Sequence, residues 1–278
     1  MDKDAKKSII KMFMILVYCY LGMMAIMYFQ QRSLLYFPGG ARPDIAALTQ
    51  TQPTIIPVQS DEDIAFNAWY WPAKENMPTL VFFHGNGQAY EYWVNKLMIY
   101  HAQGYGVFFT DYRGYGGAKG KPTEQGIYAD ARAHINALID ATQLTPDALV
   151  YYGESLGTGV ATQMATEFPP MAIVYESAYS GLNEVAKSRY GIFPIDILMK
   201  DKFRSIDKIS ALTMPKLFVH GAIDVVVPIR FGRALFDAAP EPKQWIEIEN
   251  AGHNNLYDHG AQLQISQFLS TLKPQAKE

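Results

Sequence analysis

Residues 12–29 read MFMILVYCYLGMMAIMYF, eighteen positions without a charge. At about 1.5 Å per residue such a helix nearly crosses a hydrocarbon core of about 30 Å, and Gln30 and Gln31 extend its reach. Lys3, Lys6, Lys7 and Lys11 precede the run and only Arg32 follows it closely, a bias that predicts a cytoplasmic N-terminus with the body on the far side. LLYFPGG and a proline-spaced stretch to Pro57 read as a linker. Beyond it, short apolar runs alternate with segments of helical period. IIPVQS and IAFNAWYW predict a hairpin with Asp61-Glu62-Asp63 at the turn. TLVFFHG (79–85), GVFFTDY (106–112), ALVYYGES (148–155), MAIVYES (171–177), KLFVHGAID (216–224) and QWIEIEN (244–250) predict six further strands. Helices are expected up to about Gln103, from Thr123 to Ala141, up to Phe168, near 229–238 and near 258–272; Thr123 starts a capping pattern ahead of periodic Ile127, Ala131, Ile135 and Leu138.

This alternation predicts an α/β fold: a mostly parallel eight-stranded sheet with helices on both faces. Residues 178–213 break the rhythm and are expected to form a small cap, with Tyr179, Tyr190, Ile192, Phe193, Leu198, Met199 and Phe203 as its apolar side chains. The chain therefore divides into a tail and transmembrane anchor at 1–32 and a body at 33–278.

A cleaved signal peptide would carry small residues at its cleavage site, and none lies just after the run. A lipoprotein signal would need a small residue where Tyr18 precedes Cys19, and eighteen residues apolar on every side exceed what a core-facing helix uses. Cys19 is the chain's one cysteine, so neither an intrachain disulfide nor a cysteine metal site is expected. Hydrophobic content of 49% and charged content of 18% describe a chain able to bury a core. Five basic and two acidic side chains give residues 1–32 a charge of +3, leaving −6 for the rest of a chain whose net charge is −3. An acidic body argues against nucleic-acid binding. GYGGAKGK has Tyr115 where a Walker loop needs its first glycine, and no dinucleotide fingerprint follows a strand; no nucleotide, metal or other cofactor is expected.

Ligands on such sheets gather beyond the carboxyl ends of the strands. There Gly153-Glu154-Ser155-Leu156-Gly157 forms G-x-S-x-G between a buried strand and a helix, the context of a nucleophile elbow. Ser155 is the expected nucleophile, against the plainer reading of a glycine-rich turn whose serine caps the helix. A hydroxyl needs a base to take its proton. His253, in the loop after the last strand, is the candidate, with His259 as its rival; His101 and His134 read as surface or packing residues, and His84 and His220 as turn caps. Asp224 ends a strand between Ser155 and His253 and is the expected partner of the imidazole, with Glu176 as rival. Asp196, Asp201 and Asp207 read as solvated charges of the insert. The backbone N–H groups of Leu156 and of Asn86, in His84-Gly85-Asn86-Gly87, are the expected oxyanion donors, Gly87 being the weaker choice.

With these residues in place, LLYFP, FFHGNG, DYRGYG with GKPTEQG, GESLGTG, VHGAIDVVVP and AGHNN, in order between about Leu34 and Leu272, resemble the single-pass, membrane-anchored α/β-hydrolase-domain family that includes the eukaryotic protein depalmitoylases. The resemblance implies the α/β-hydrolase fold, a triad of Ser155, Asp224 and His253, an oxyanion hole from Asn86 and Leu156, and a structural loop at Asp111-Tyr112-Arg113-Gly114. The cysteine-rich N-terminus typical of the depalmitoylases is absent, so depalmitoylation is one option among several. The expected activity is serine hydrolysis of carboxylic esters or thioesters through an acyl-enzyme, with a small-molecule or lipid-like acyl substrate. Amide or peptide hydrolysis, aminopeptidase-like, is the alternative within enzymes, and a non-catalytic membrane-tethered scaffold the alternative outside them. The expected location is a membrane, with the catalytic domain extracytoplasmic, and periplasmic in a bacterium.

Overall fold

The computed structural model describes residues 3–61, 63–87 and 89–272; Glu62 of the expected hairpin turn, and residues 1–2 and 273–278 of the expected tail and body, lie outside them. The apolar run becomes α1 (Lys3–Leu35), 33 residues long, because the lysine-rich tail and Gln30–Leu35 continue its helix on either side. Its most apolar 18-residue window has a mean hydropathy of 2.1 and buries none of its residues, so α1 is long and apolar enough to cross a membrane. The later turns of α1 lie against 192–201. Tyr20 stacks on Phe193 at 5.5 Å between ring centroids, Gln31 donates to the Leu198 carbonyl at 3.1 Å and accepts from the Lys200 N–H at 2.7 Å, and Arg32 donates to Asp201 at 2.8 Å.

After the one-turn α2 (Ile45–Leu48), whose first turn Asp44 caps, the hairpin β1 (Thr54–Asp61) and β2 (Ile64–Trp71) opens the sheet. Then come β3 (Thr79–Phe83), α3 (Tyr90–Ala102), β4 (Gly106–Phe109), α4 (Glu124–Thr142), β5 (Leu149–Glu154), α5 (Leu156–Glu167) and β6 (Ala172–Glu176). The insert holds α6 (Leu182–Tyr190) and α7 (Ile195–Leu198), and β7 (Lys216–Gly221), α8 (Ile229–Ala238), β8 (Lys243–Ile248) and α9 (Ala261–Thr271) complete the body. The strands form one eight-stranded sheet in the order β1-β2-β4-β3-β5-β6-β7-β8. β2 runs antiparallel to both its neighbours, β1 and β4, and every other neighbouring pair is parallel. Thr123 caps α4 as expected, accepting from the Gly126 N–H at 3.0 Å.

Strand side chains alternate between two cores, as a pleat requires. Val81, Phe83, Tyr151, Ile173 and Tyr175 pack with α4, α5 and α8 on one face. Leu80, Phe82, Val150, Tyr152 and Val174 pack with α3 and α9 on the other.

Several strands are shorter at their carboxyl ends than the apolar pattern predicts. Residues 84–85, 110–112 and 222–224 read as strand but lie beyond Phe83, Phe109 and Gly221. Burial outlasting strand pairing explains this: His84, Thr110, Asp111 and Tyr112 are all buried, but while the Thr110 N–H still donates to the Phe82 carbonyl at 3.2 Å, the Asp111 N–H already donates to the His134 side chain at 3.3 Å. Within the expected cap, Tyr179 and Phe203 pack into the body beside α5, so closely that a methyl on Gly159 would lie 2.5 Å from the Tyr179 hydroxyl. Asp201 is not a solvated charge as expected: it is buried and accepts from Arg32 and the Glu124 N–H.

Candidate active site

Ser155 stands between β5 and α5 with φ 48° and ψ −115°, outside the regions an L-residue ordinarily adopts. The surroundings impose this conformation. The Ser155 N–H donates to the Glu176 carbonyl at 2.9 Å, and both flanking glycines are sterically required. A methyl on Gly153 would meet the Gly157 carbonyl oxygen at 2.7 Å, and one on Gly157 the Phe83 carbonyl oxygen at 1.9 Å. The turn thus presses α5 against the end of β3 and leaves Ser155 only partly covered.

The loop after β8 brings His253 to this turn. Its Nε2 lies 2.9 Å from Ser155 Oγ and its Nδ1 lies 2.7 Å from Asp224 Oδ2. An ionised carboxylate only accepts, so Nδ1 donates to Asp224 and Nε2 is left to accept from the serine hydroxyl. The loop itself is fixed by the Gly252 N–H donating to Asn255 at 2.7 Å, and by Gly221, where a methyl would strike the Ala251 carbonyl at 2.4 Å.

Asp224 sits just past β7 with its side chain fully buried. Its Oδ1 accepts from the N–H groups of Val226 and Val227, both at 2.8 Å. Burial pushes its carboxyl up, but hydrogen bonds from His220 and His253, the charge of His253 and the Val227 N–H outweigh that and hold it well below the usual carboxylate range. It therefore stays ionised beside the imidazole.

The rival residues lie elsewhere. Glu176 pairs with Lys96 at 2.6 Å and accepts from Tyr152, and His259 is exposed with Asn255 at 3.3 Å. His84 is wholly buried and contacts the Gly85 carbonyl at 2.8 Å just past β3, and His220, within β7, reaches the Val227 carbonyl at 2.8 Å in the loop that follows. Asp111 and Arg113 lock the loop after β4: Tyr90 donates to Asp111 at 2.8 Å, and Arg113 binds Asp130 through both backbone and side chain.

Leu156 is the first residue of α5, where backbone N–H groups have no partner within the helix. Gly85 lies so near the elbow that a methyl there would be 3.4 Å from Ser155 Cβ, which brings the 84–87 loop alongside the serine. The Asn86 side chain turns away toward α1, donating to the Leu35 carbonyl at 2.6 Å and accepting from the Phe37 N–H at 2.8 Å. Among the described residues no group of three or more His, Cys, Asp or Glu side chains is placed to hold a metal.

Sequence reasoning missed the charged cluster beneath the elbow. Lys96, 3% exposed, lies 2.5 Å from Glu154 and 2.6 Å from Glu176, with the Tyr257 ring 4.7 Å away. The available signal was a lysine on the apolar stripe of Trp93, Leu97 and Tyr100.

A family model described as alpha/beta hydrolase fold matches residues 78–173. An uncharacterized protein of Mycobacterium tuberculosis is 33% identical over 237 residues, covering 84% of each chain. The chain belongs to the alpha/beta hydrolase fold family. It is also similar to alpha/beta hydrolase domain-containing protein 17B of Homo sapiens, at 33% identity over 201 residues, 69% of this chain and 66% of that one. Among solved structures, an esterase of Pyrococcus furiosus matches with a TM-score of 0.67 at 14% identity, covering 86% of this chain and 99% of that one. A monoacylglycerol lipase of Paleococcus ferrophilus matches with a TM-score of 0.56 at 19% identity, covering 75% and 100%. At those identities the two structures share the fold with this chain.

Proposed function

We propose that this protein is a membrane-anchored serine hydrolase that cleaves carboxylic esters or thioesters through an acyl-enzyme intermediate. The observation that carries the reading is the continuous relay Ser155 Oγ to His253 Nε2 at 2.9 Å and His253 Nδ1 to Asp224 at 2.7 Å. In it His253 takes the Ser155 proton as the oxygen attacks the acyl carbon, then returns it to the departing alcohol or thiol. Asp224 holds the imidazole in the tautomer that accepts from serine and stabilises the imidazolium. The N–H groups of Leu156 and Asn86 receive the negative charge on the carbonyl oxygen, an effect typically worth about 3–4 kcal/mol per donor. Water then cleaves the acyl-enzyme with His253 again as base.

An ester or thioester substrate fits the company this fold keeps here, an esterase and a monoacylglycerol lipase. Lysines in the first turns of α1, ahead of its apolar run, favour a cytoplasmic N-terminus and an extracytoplasmic catalytic body, with 178–213 as a small cap at 33–278's edge. The full-length protein in detergent should hydrolyse a p-nitrophenyl ester, and Ser155→Ala should reduce kcat by about 10³-fold or more. Full activity in Ser155→Ala overturns the reading. No reaction of the folded wild type with a fluorophosphonate favours a binding scaffold, and a larger kcat/KM for a matched peptide than for its ester favours an amidase.

A further inference from the structure

The loop that would supply the second oxyanion donor is braced within itself by His84 Nδ1 against the Gly85 carbonyl at 2.8 Å. Gly85 and Gly87 flank Asn86, and Gly87 has φ +80°, a conformation open to glycine. Asn86 itself is held from outside the loop, through its side-chain amide. Asn86 Nδ2 donates to the Leu35 carbonyl at 2.6 Å, and Oδ1 accepts from the Phe37 N–H at 2.8 Å and the Tyr115 hydroxyl at 2.7 Å. Leu35 ends α1, so its carbonyl is one of those a helix C-terminus leaves without an internal partner. A methyl on Gly87 would meet Phe37 Cβ at 3.4 Å, so the next residue also rests on the chain leaving the helix. That chain is itself held to the body: Tyr36 is 3% exposed and Arg32 is paired with Asp201.

We infer that Asn86 is a positioning residue: its side chain, clamped between Leu35 and Phe37, sets the direction of its own backbone N–H toward Ser155, making the seat of the N-terminal helix part of the hydrolytic apparatus. The inference rests on the proposed hydrolase reading and on the Asn86 N–H as oxyanion donor. Such a donor acts only within about 2.7–3.1 Å of the developing charge, and a displacement of about 1 Å in a reacting site costs about a hundredfold in rate. Phe37 precedes Pro38, which biases it to extended backbone, so its N–H is presented to Asn86 with little freedom to lose.

The test uses two full-length variants in detergent. Asn86→Ala keeps the backbone N–H and removes the clamp; Phe37→Pro keeps Asn86 and removes one donor to it. Each is titrated to its end point with a fluorophosphonate, so that kcat is expressed per reactive serine and is independent of the folded fraction. The expected result is a kcat lower by about 10- to 100-fold for Asn86→Ala and by a smaller factor for Phe37→Pro, with KM within about twofold and an unchanged pH profile. A kcat per titrated site equal to wild type in Asn86→Ala overturns the inference, whatever the yield of folded protein; so does a loss that appears wholly in KM. Failure of the wild type itself to be titrated sinks the hydrolase reading instead.

Discussion

Replacing Lys96 with methionine strikes at the buried charge beneath the elbow. Lys96 lies 2.5 Å from Glu154 and 2.6 Å from Glu176, all three with side chains at most 7% exposed. At an effective dielectric of about 20, each contact attracts by about 6 kcal/mol, most of which offsets desolvation of the three charges. Burial lowers the lysine's tendency to hold its proton, but Glu154 and Glu176 more than compensate and raise it above the ordinary value. Methionine fills similar space and leaves two carboxyls facing each other without a cation. Removing one partner of a buried pair costs about 3–5 kcal/mol, which for a body of this size lowers the thermal midpoint by about 10 °C. The pH dependence has a definite sign. The Glu176 carboxyl is already raised, first by burial and also by Glu154, with Lys96 opposing. Losing Lys96 raises it further, so the penalty grows as pH climbs through the window above the unfolded carboxyl value of about 4.5 and fades below it. The assay is thermal unfolding of full-length wild type and Lys96→Met in detergent at pH 4.5 and pH 7.5. A variant as stable as wild type at pH 7.5, or a deficit that does not shrink at pH 4.5, refutes this account of the cluster.

Asp224→Asn should leave the fold intact and reduce kcat by about 10³- to 10⁴-fold, because the imidazole loses the tautomer that accepts from Ser155; steady-state kinetics check it. Gly157→Ala, whose methyl would lie 1.9 Å from the Phe83 carbonyl, should destabilise by about 3 kcal/mol or more, as overpacking against backbone does, seen as a lower thermal midpoint. Burial pushes the His134 imidazole down to about 4, where as a neutral ring it contacts the Asp130 carbonyl at 2.8 Å and accepts from the Asp111 N–H. Because that value is depressed, its contribution is fully present above about pH 6.5 and is lost as pH falls toward 4, a swing of about 3 kcal/mol. His134→Gln should flatten the stability profile in that window, and an unchanged slope contradicts the assignment.

The apolar runs and the 3.6-residue pattern were enough to read the sheet and its main helices, since β3 to β7 bury both faces, β1 buries alternate residues, and α3 and α4 bury one stripe. Ser155, Asp224 and His253 were legible for a related reason: each follows an apolar run at the sheet's carboxyl edge. Strand ends were misplaced where buried residues continue past the last ladder bond, as at His84-Gly85 and Asp111-Tyr112. Periodicity records burial, not pairing. It also does not say which buried polar groups meet, so Lys96 with Glu154 and Glu176, residues distant in the chain, were not foreseen. Asp201 was misread because its partners, Arg32 and the first turn of α4, come from α1 and from another layer. Asn86 was expected only as a backbone donor; its amide's grip on Leu35 and Phe37 was not foreseen, because it depends on where α1 ends in space.

The most direct test of the central claim is the mass of the protein after a brief reaction with a p-nitrophenyl ester, quenched in acid and digested. The account predicts the gain of one acyl group, mapped to Ser155, and its loss in Ser155→Ala. Acylation at another residue, or hydrolysis at an undiminished rate in Ser155→Ala, would contradict it.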